Sequence, residues 1–254
     1  MARKRNLSKE DIDDVSTYED YTLTHNNGNG NEKGVRIQDL PIKIKCLNEK
    51  QKTLKKAIED KEITLVNGPS GVGKTYFSLL MAIHLLKTET KYKQISLVKS
   101  VQTITGESIG YLPGDINEKI YPYMYSYIGN LNKIFHNKDT SKKLLEKGII
   151  EFLPIAYVRG INIDSQICII DETQNIDRHT FKTIITRIGT DSKFIFLGDT
   201  EQVDRKYKKE SCFMKICDMF KDNDFVGVVN FTDDDCIRNP IIPHVLNVLE
   251  ENNI

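Results

Sequence analysis

The sequence predicts an α/β protein whose mostly parallel sheet is covered by helices on both faces. Three observations carry this reading. Six short, almost uninterrupted apolar runs recur along the chain, the pattern of strands buried on both sides. Helix-length segments lie between them, as crossovers between parallel strands require. A glycine-rich loop directly follows the first run and opens an apolar helix, and in such sheets ligands bind beyond the carboxyl ends of the strands.

In chain order, residues 1–36 are polar and charged and include the linker-like run HNNGNGNEKG at 25–34. They are expected to form a flexible tail before a domain at 37–254. A helix is expected over 49–60, then the strand EITLVN at 62–67. The apolar segment 75–87 is the second helix and QISLVK (94–99) the second strand. Helices at 117–135 and 140–147 precede the strands IIEFL (149–153) and QICIID (166–171). A helix at 178–189 leads to KFIFLG (193–198), and one at 211–221 leads to FVGVVNF (225–231). The last segment, 240–252, places Ile242, Val245, Leu246 and Leu249 at helical spacing and is expected to pack.

Composition narrows the function classes. The 254 residues contain 36 basic and 36 acidic side chains, a formal net charge of zero. That excludes an indiscriminate nucleic-acid coat but leaves room for a local basic groove. No apolar stretch is long enough for a membrane span, and the opening MARKRNLSKEDIDD has no apolar run behind its basic residues. A cytoplasmic protein without a membrane partner is expected. The five cysteines form no C-x-x-C pair, so they are read as small buried hydrophobes rather than zinc ligands or a disulfide framework.

The strongest local signal is Gly68-Pro69-Ser70-Gly71-Val72-Gly73-Lys74-Thr75, which fits G-x-x-x-x-G-K-[ST] between a strand and a helix beginning Thr75-Tyr76. Glycines allow the backbone to approach phosphate and aim successive N–H groups at its oxygens, while the helix N-terminus favours negative charge. Lys74 would reach the β- and γ-phosphates of ATP, and the Thr75 hydroxyl would ligate magnesium. QICIIDE ends a buried strand in Asp171 and Glu172. One carboxylate can hold magnesium while the other activates water. KFIFLGDTEQ repeats the arrangement with Gly198, Asp199 and Gln202, and an uncharged amide near the γ-phosphate can position the attacking water.

Several stretches together resemble the PhoH-like family of P-loop ATPases, itself similar to the first RecA-like domain of superfamily-one helicases. They are GPSGVGKTYFSLLMA, TGESIGYLPGDINEKIYPY, PIAYVRG, IIDETQN, TRIG, LGDTEQVD and IRNP, and they cover most of 49–246 in the family's order. The resemblance implies a RecA-like domain that hydrolyses ATP, commonly in ring-shaped homo-oligomers, with proposed RNA or DNA handling. It matches the loop glycines, Lys74 and Thr75 to the nucleotide loop, Asp171 and Glu172 to the magnesium and water-activating acids, and Asp199 and Gln202 to the γ-phosphate sensor. Gln174 lies in the same DE-x-Q segment. Gln51 stands where related helicases place an adenine-reading glutamine. Arg238 matches the family's late arginine, a charge stabiliser that a ring would supply from a neighbouring subunit. The chain departs from the pattern at LVKSV, where Lys99 replaces an arginine, at Ser211-Cys212-Phe213, and at Asn239, where histidine is common.

Nucleic-acid contacts are drawn more loosely. Arg205, Lys206, Lys208 and Lys209 around Tyr207 can grip phosphates and stack a base, or form a solvated loop. Lys99 and Arg159, each just past a strand, are the other candidates, and Arg159 can equally face a neighbouring subunit. The alternating Tyr121, Tyr123, Tyr125 and Tyr127 favour packing or a subunit interface over base stacking. The leading function is magnesium-dependent ATP hydrolysis coupled to RNA or single-stranded DNA in an oligomer. The alternative is a nucleotide-gated regulatory or assembly switch.

Overall fold

A computed structural model of the chain describes residues 36–100, 116–200 and 212–237, with Ile241, Val245 and Val248. Of 116–123 it describes the backbone only. The expected tail, apart from Arg36, lies outside the described residues, as do Gln202, the 205–209 basic run and Arg238.

Six strands form one sheet: β1 (Ile63–Asn67), β2 (Gln94–Lys99), β3 (Ile150–Pro154), β4 (Gln166–Asp171), β5 (Lys193–Gly198) and β6 (Val226–Asn230). Their order is β3-β2-β4-β5-β1-β6 and every pairing is parallel. The expected α/β sheet is therefore found, and all its pairs run in one direction. The chain visits β1, crosses to β2 and the β3 edge, then returns through β4 and β5 before adding β6. That route leaves β5 alone between β1 and β4. Strand ends are level: Asn67 pairs with Gly198 and Asn230, and Lys99 with Asp171.

Alternation along the strands divides the core in two. Ile95, Leu97, Ile167, Ile169, Ile195 and Leu197 face α1 (Glu49–Asp60), α2 (Lys74–Thr88), α3 (Ile116–Phe135) and α4 (Lys138–Glu146). Val98, Cys168, Ile170, Phe194 and Phe196 face α5 (Ile155–Val158), α6 (Arg178–Ile185) and α7 (Phe213–Met219). Both faces are covered, which is why the strands read as continuous apolar runs. α2 is buried along most of its length, from Phe77 to Leu86. α1 starts where the Asn48 side chain accepts the Gln51 N–H at 2.8 Å, and it buries Gln51, Leu54 and Ile58. Fully burying Leu54 or Ile58 contributes about 1.5–3 kcal/mol each.

Two differences from the sequence reading have local causes. The helix expected over 178–189 ends at Ile185, because the next residues are recruited by the segment before β4. Ile163 N–H donates to the Arg187 carbonyl, Gly189 N–H donates to the Ile163 carbonyl, and Ile163 bridges to Ile188. Gly189 is required there, since a Cβ would meet Asp164 Oδ1 at 2.0 Å. The single-turn α5 was not anticipated, four residues being too few to show a helical period.

Lys193 opens β5 almost fully buried and donates to the carbonyls of Lys61 and Glu59 at the end of α1. Burial, then the nearby Lys91 charge, pulls its ammonium down to about 8 from 10.5. Between about pH 8 and 10.5 the unfolded chain holds a proton that the folded chain has released, so this group makes stability rise with pH there. The slope is at most about 1.4 kcal/mol per pH unit. Thermal midpoints measured from pH 7.5 to 10 should show this contribution in the wild type and lose it in Lys193→Met.

Candidate active site

Among the described residues, the loop from Gly68 to Thr75 meets Asp171 and Glu172 at the carboxyl end of the sheet. Gly68 leaves β1 with its N–H donating to the Gly198 carbonyl, and Phe231 lies against it: a Cβ at Gly68 would come within 2.5 Å of the Phe231 Cβ. Gly73 closes the loop at φ +86°, a conformation only glycine adopts without strain, and serves as N-cap to α2. Val72 is buried, Ser70 is exposed, and Pro69 and Gly71 are half-buried. Tyr76, one turn into α2, packs against the core below, and burial pushes its phenol up. The Lys74 ammonium folds back to donate to the carbonyls of Gly68 and Pro69, the latter at 2.8 Å. The loop is thus already curled around the cation that would meet phosphate.

Thr75 and Asp171 meet across the crevice. The Thr75 hydroxyl donates to Asp171 Oδ2 at 3.2 Å, and the Glu172 N–H donates to Asp171 Oδ1 at 2.9 Å. Asp171 is buried. Burial pushes its carboxyl up, and the Glu172 charge adds to the shift, against the Glu172 N–H, the Lys99 charge and the Thr75 hydroxyl. A magnesium ion fits these residues. Such hard cations are held by one or two protein oxygens together with phosphate oxygens and water, and Thr75 and Asp171 offer that pair beside a second carboxylate.

Glu172 occupies a strained position. Its φ of 58° and ψ of 38° lie in the left-handed region, which costs a non-glycine residue about 1–2 kcal/mol. The strain turns its side chain back onto Gln174, whose Nε2 donates to Glu172 Oε2 at 2.7 Å. Gln174 is itself fixed, because its Oε1 accepts the Asp199 N–H at 3.0 Å from the end of β5. One buried amide therefore joins the ends of β4 and β5. Gly198 leaves room for it, since a Cβ there would stand 3.3 Å from Gln174 Oε1 and 2.5 Å from the Phe213 ring. On the other side of β5, Asn67 Oδ1 accepts the Thr200 N–H at 3.2 Å.

Gln51 lies at the back of the phosphate loop. Its Oε1 accepts the Leu47 N–H at 2.9 Å and its Nε2 donates to the Val72 carbonyl at 3.4 Å. Both ends of the amide are engaged, so reading adenine would exchange bonds that now brace the loop. Lys99 pairs in register with Asp171, and its charge acts on that carboxylate, which puts it inside the crevice. Arg159 is exposed after α5, beyond the edge strand β3. Lys99 also pairs in register with Pro154 at the end of β3, five residues before Arg159. Tyr125 is exposed and Tyr127 fully buried, as one face of a helix dictates, while the side chains of Tyr121 and Tyr123 lie outside the described residues.

A cavity of about 230 Å³ flanks the loop on its β6 side, lined in part by Asn67, Gly68, Pro69, Asp199, Phe231 and Asp233. Thr75, Asp171 and Glu172 converge on the β4 side. The segment after β6 closes the loop from behind. Ile237 N–H donates to the Gly71 carbonyl at 3.2 Å, and the Ile237 side chain would touch a Cβ at Gly73 at 3.0 Å. Asn48 Nδ2 ties the same segment to α1 through the Asp235 carbonyl at 3.2 Å. Sequence reasoning gave no part to Asn67, none beyond its motif to Gln174, and to Tyr127 only packing or a subunit interface. The signal for Asn67 was a polar residue ending an apolar strand directly before the loop. Among the described residues no helix is long and apolar enough to cross a membrane.

Comparison with known proteins places this arrangement. The family model described as PhoH-like protein matches residues 43–250. A PhoH-like protein of Bacillus subtilis (strain 168) is 32% identical over 212 residues, covering 84% of this chain and 65% of the relative. One of Mycobacterium bovis (strain ATCC BAA-935 / AF2122/97) is 30% identical over 228 residues, covering 87% and 63%. The chain thus spans just under two thirds of the length of these curated relatives. Among solved structures, the large terminase of a thermophilic bacteriophage aligns with 80% of this chain and 50% of its own, at 12% identity and a TM-score of 0.47. With the family match spanning most of its length, the chain belongs to the PhoH-like protein family.

Proposed function

We propose that the protein binds ATP with magnesium and hydrolyses it, and that an oligomer, in the form of a ring, couples this to RNA or single-stranded DNA. The observation that supports it is the Glu172 carboxylate held by the buried Gln174 amide next to Lys74, Thr75 and Asp171. Binding a nucleotide needs no such acid, whereas activating a water does.

In this reading the loop N–H groups and Lys74 take the phosphates, Lys74 exchanging the Gly68 and Pro69 carbonyls for phosphate oxygens. Thr75 and Asp171 would hold magnesium, which would supply positive charge to the terminal phosphates. Glu172 accepts a proton from water as the water oxygen bonds to the terminal phosphorus. The bond to the ADP oxygen breaks, and ADP and phosphate are released. Gln202 orients the water, and Arg238 from a neighbouring subunit stabilises the charge that develops. Lys99, beside Asp171, belongs with the nucleotide chemistry in this reading. Arg159, Arg205, Lys206, Lys208 and Lys209 are the residues left for a polymer.

Steady-state hydrolysis of ATP, with and without single-stranded RNA and DNA, tests both halves. Magnesium-dependent turnover that rises several-fold with one polymer is expected. Absence of turnover would overturn the hydrolytic reading. Turnover indifferent to both polymers, together with no binding at low salt, would replace the motor with a nucleotide-gated switch.

A further inference from the structure

α3 meets the crevice through one buried side chain whose polar atom makes no hydrogen bond of full geometry among the described residues. Its described buried residues, Met124, Tyr127, Ile128, Leu131 and Ile134, fall at helical spacing, and all but Ile128 join the core that holds Ile95, Leu97, Ile167 and Ile169. Four are apolar throughout. Tyr127 is the exception: it is fully buried, it leans toward Phe152 with ring centroids 6.3 Å apart, and its hydroxyl makes no hydrogen bond of full geometry among the described residues, although Asp171 lies near enough to act on it as a partner. A phenylalanine would fill the same apolar surroundings without burying a hydroxyl that has lost its water, a penalty large enough to matter to a single domain.

The position of that hydroxyl accounts for it. Asp171, Thr75 and Lys99 all lie on the α2–α3 face at the strand ends, by the alternation that puts Ile167, Ile169, Ile95 and Leu97 there. Burial first of all pushes the Tyr127 phenol well above its ordinary value, and Asp171 adds to the shift both by its charge and as a near hydrogen-bond partner of the hydroxyl, with the Glu172 charge behind it. Asp171 accepts one bond at each oxygen, from Thr75 and from the Glu172 N–H, and a carboxylate has lone pairs for two more.

We propose that Tyr127 is a positioning residue for Asp171, its hydroxyl donating to a spare lone pair of the carboxylate when the divalent cation binds. The inference rests on the magnesium–nucleotide reading of the crevice and adds a group from α3 to it. The hydroxyl completes this bond only in the loaded site. Part of the desolvation already present in the folded protein is then recovered as cation affinity, and α3 is drawn toward the end of β4.

The test is Tyr127→Phe, which removes one oxygen atom. Without metal and nucleotide, its thermal midpoint should equal or exceed that of wild type, because no fully formed hydrogen bond is lost. Binding of a fluorescent ADP analogue, titrated with Mg2+, should need about tenfold more cation for half-saturation, the effect of one charge-assisted bond. Affinity for the same analogue in EDTA should not change. In an Asp171→Asn background, the Tyr127→Phe change should have no further effect on the Mg2+ midpoint. An unchanged Mg2+ midpoint in the single variant overturns the proposal. So does an equal loss of affinity with and without Mg2+, or an undiminished cost in the Asp171→Asn background. Wild type showing no Mg2+-dependent binding of the analogue would sink the reading of the crevice itself.

Discussion

Glu172→Gln is expected to retain ATP binding and to hydrolyse ATP at least about 100-fold more slowly than wild type, the range in which general-base catalysis contributes. The substitution keeps the shape of the side chain and removes only its ability to accept a proton. The surroundings can keep it in place, since the glutamine oxygen can accept from Gln174 Nε2 as Glu172 Oε2 now does. The left-handed backbone at this position strains glutamine no more than glutamate, so stability should change little. Single-turnover hydrolysis and equilibrium binding, measured on the same preparation, separate the two effects. If turnover matches wild type, Glu172 is not the base.

Lys74→Ala is the second large effect. The ammonium donates to the carbonyls of Gly68 and Pro69, and on phosphate it would supply the loop's only charged side-chain donor between Gly68 and Thr75. Its loss should weaken ATP binding by at least about tenfold, in line with a charged hydrogen bond, and reduce hydrolysis to background. Both of those carbonyls belong to a loop that is only partly buried, so the thermal midpoint should move by only a few degrees. Calorimetric titration with ATP together with a thermal melt checks both statements. Wild-type affinity in this variant would remove the phosphate-binding role of the loop.

The two variants probe residues whose roles were legible in sequence for different reasons. The loop was legible because its chemistry is local: glycines, lysine and threonine lie within eight consecutive residues. The strands were legible because burial on both faces leaves continuous apolar runs, and all six begin and end within one residue of expectation. Contacts between distant segments left no such trace. Gln174 and Asp199 are 25 residues apart, and only the level ends of β4 and β5 bring them together. Tyr127 read as one member of a tyrosine-rich packing stripe because nothing in its neighbourhood announces Asp171 on another element. Lys99 reads from sequence as a nucleic-acid candidate, and its pairing with Asp171 is visible only in the register, because sequence gives a strand end no neighbour. The end of α6 was misjudged because Ile163, more than twenty residues earlier, claims the carbonyl of Arg187.

The bracing of the phosphate loop by the segment after β6 has a thermodynamic consequence. Phe231 lies against the first glycine, Ile237 against the last, and the Ile237 N–H holds the carbonyl of Gly71 between them. A ligand that tightens the loop must also favour docking of this segment, and by reciprocity whatever secures the segment raises ligand affinity by the same factor. Residues 231–237 therefore enter the binding constant of a loop they do not belong to, and a substitution at Ile237 can be read as a change in apparent affinity even though Ile237 supplies no group to the phosphate.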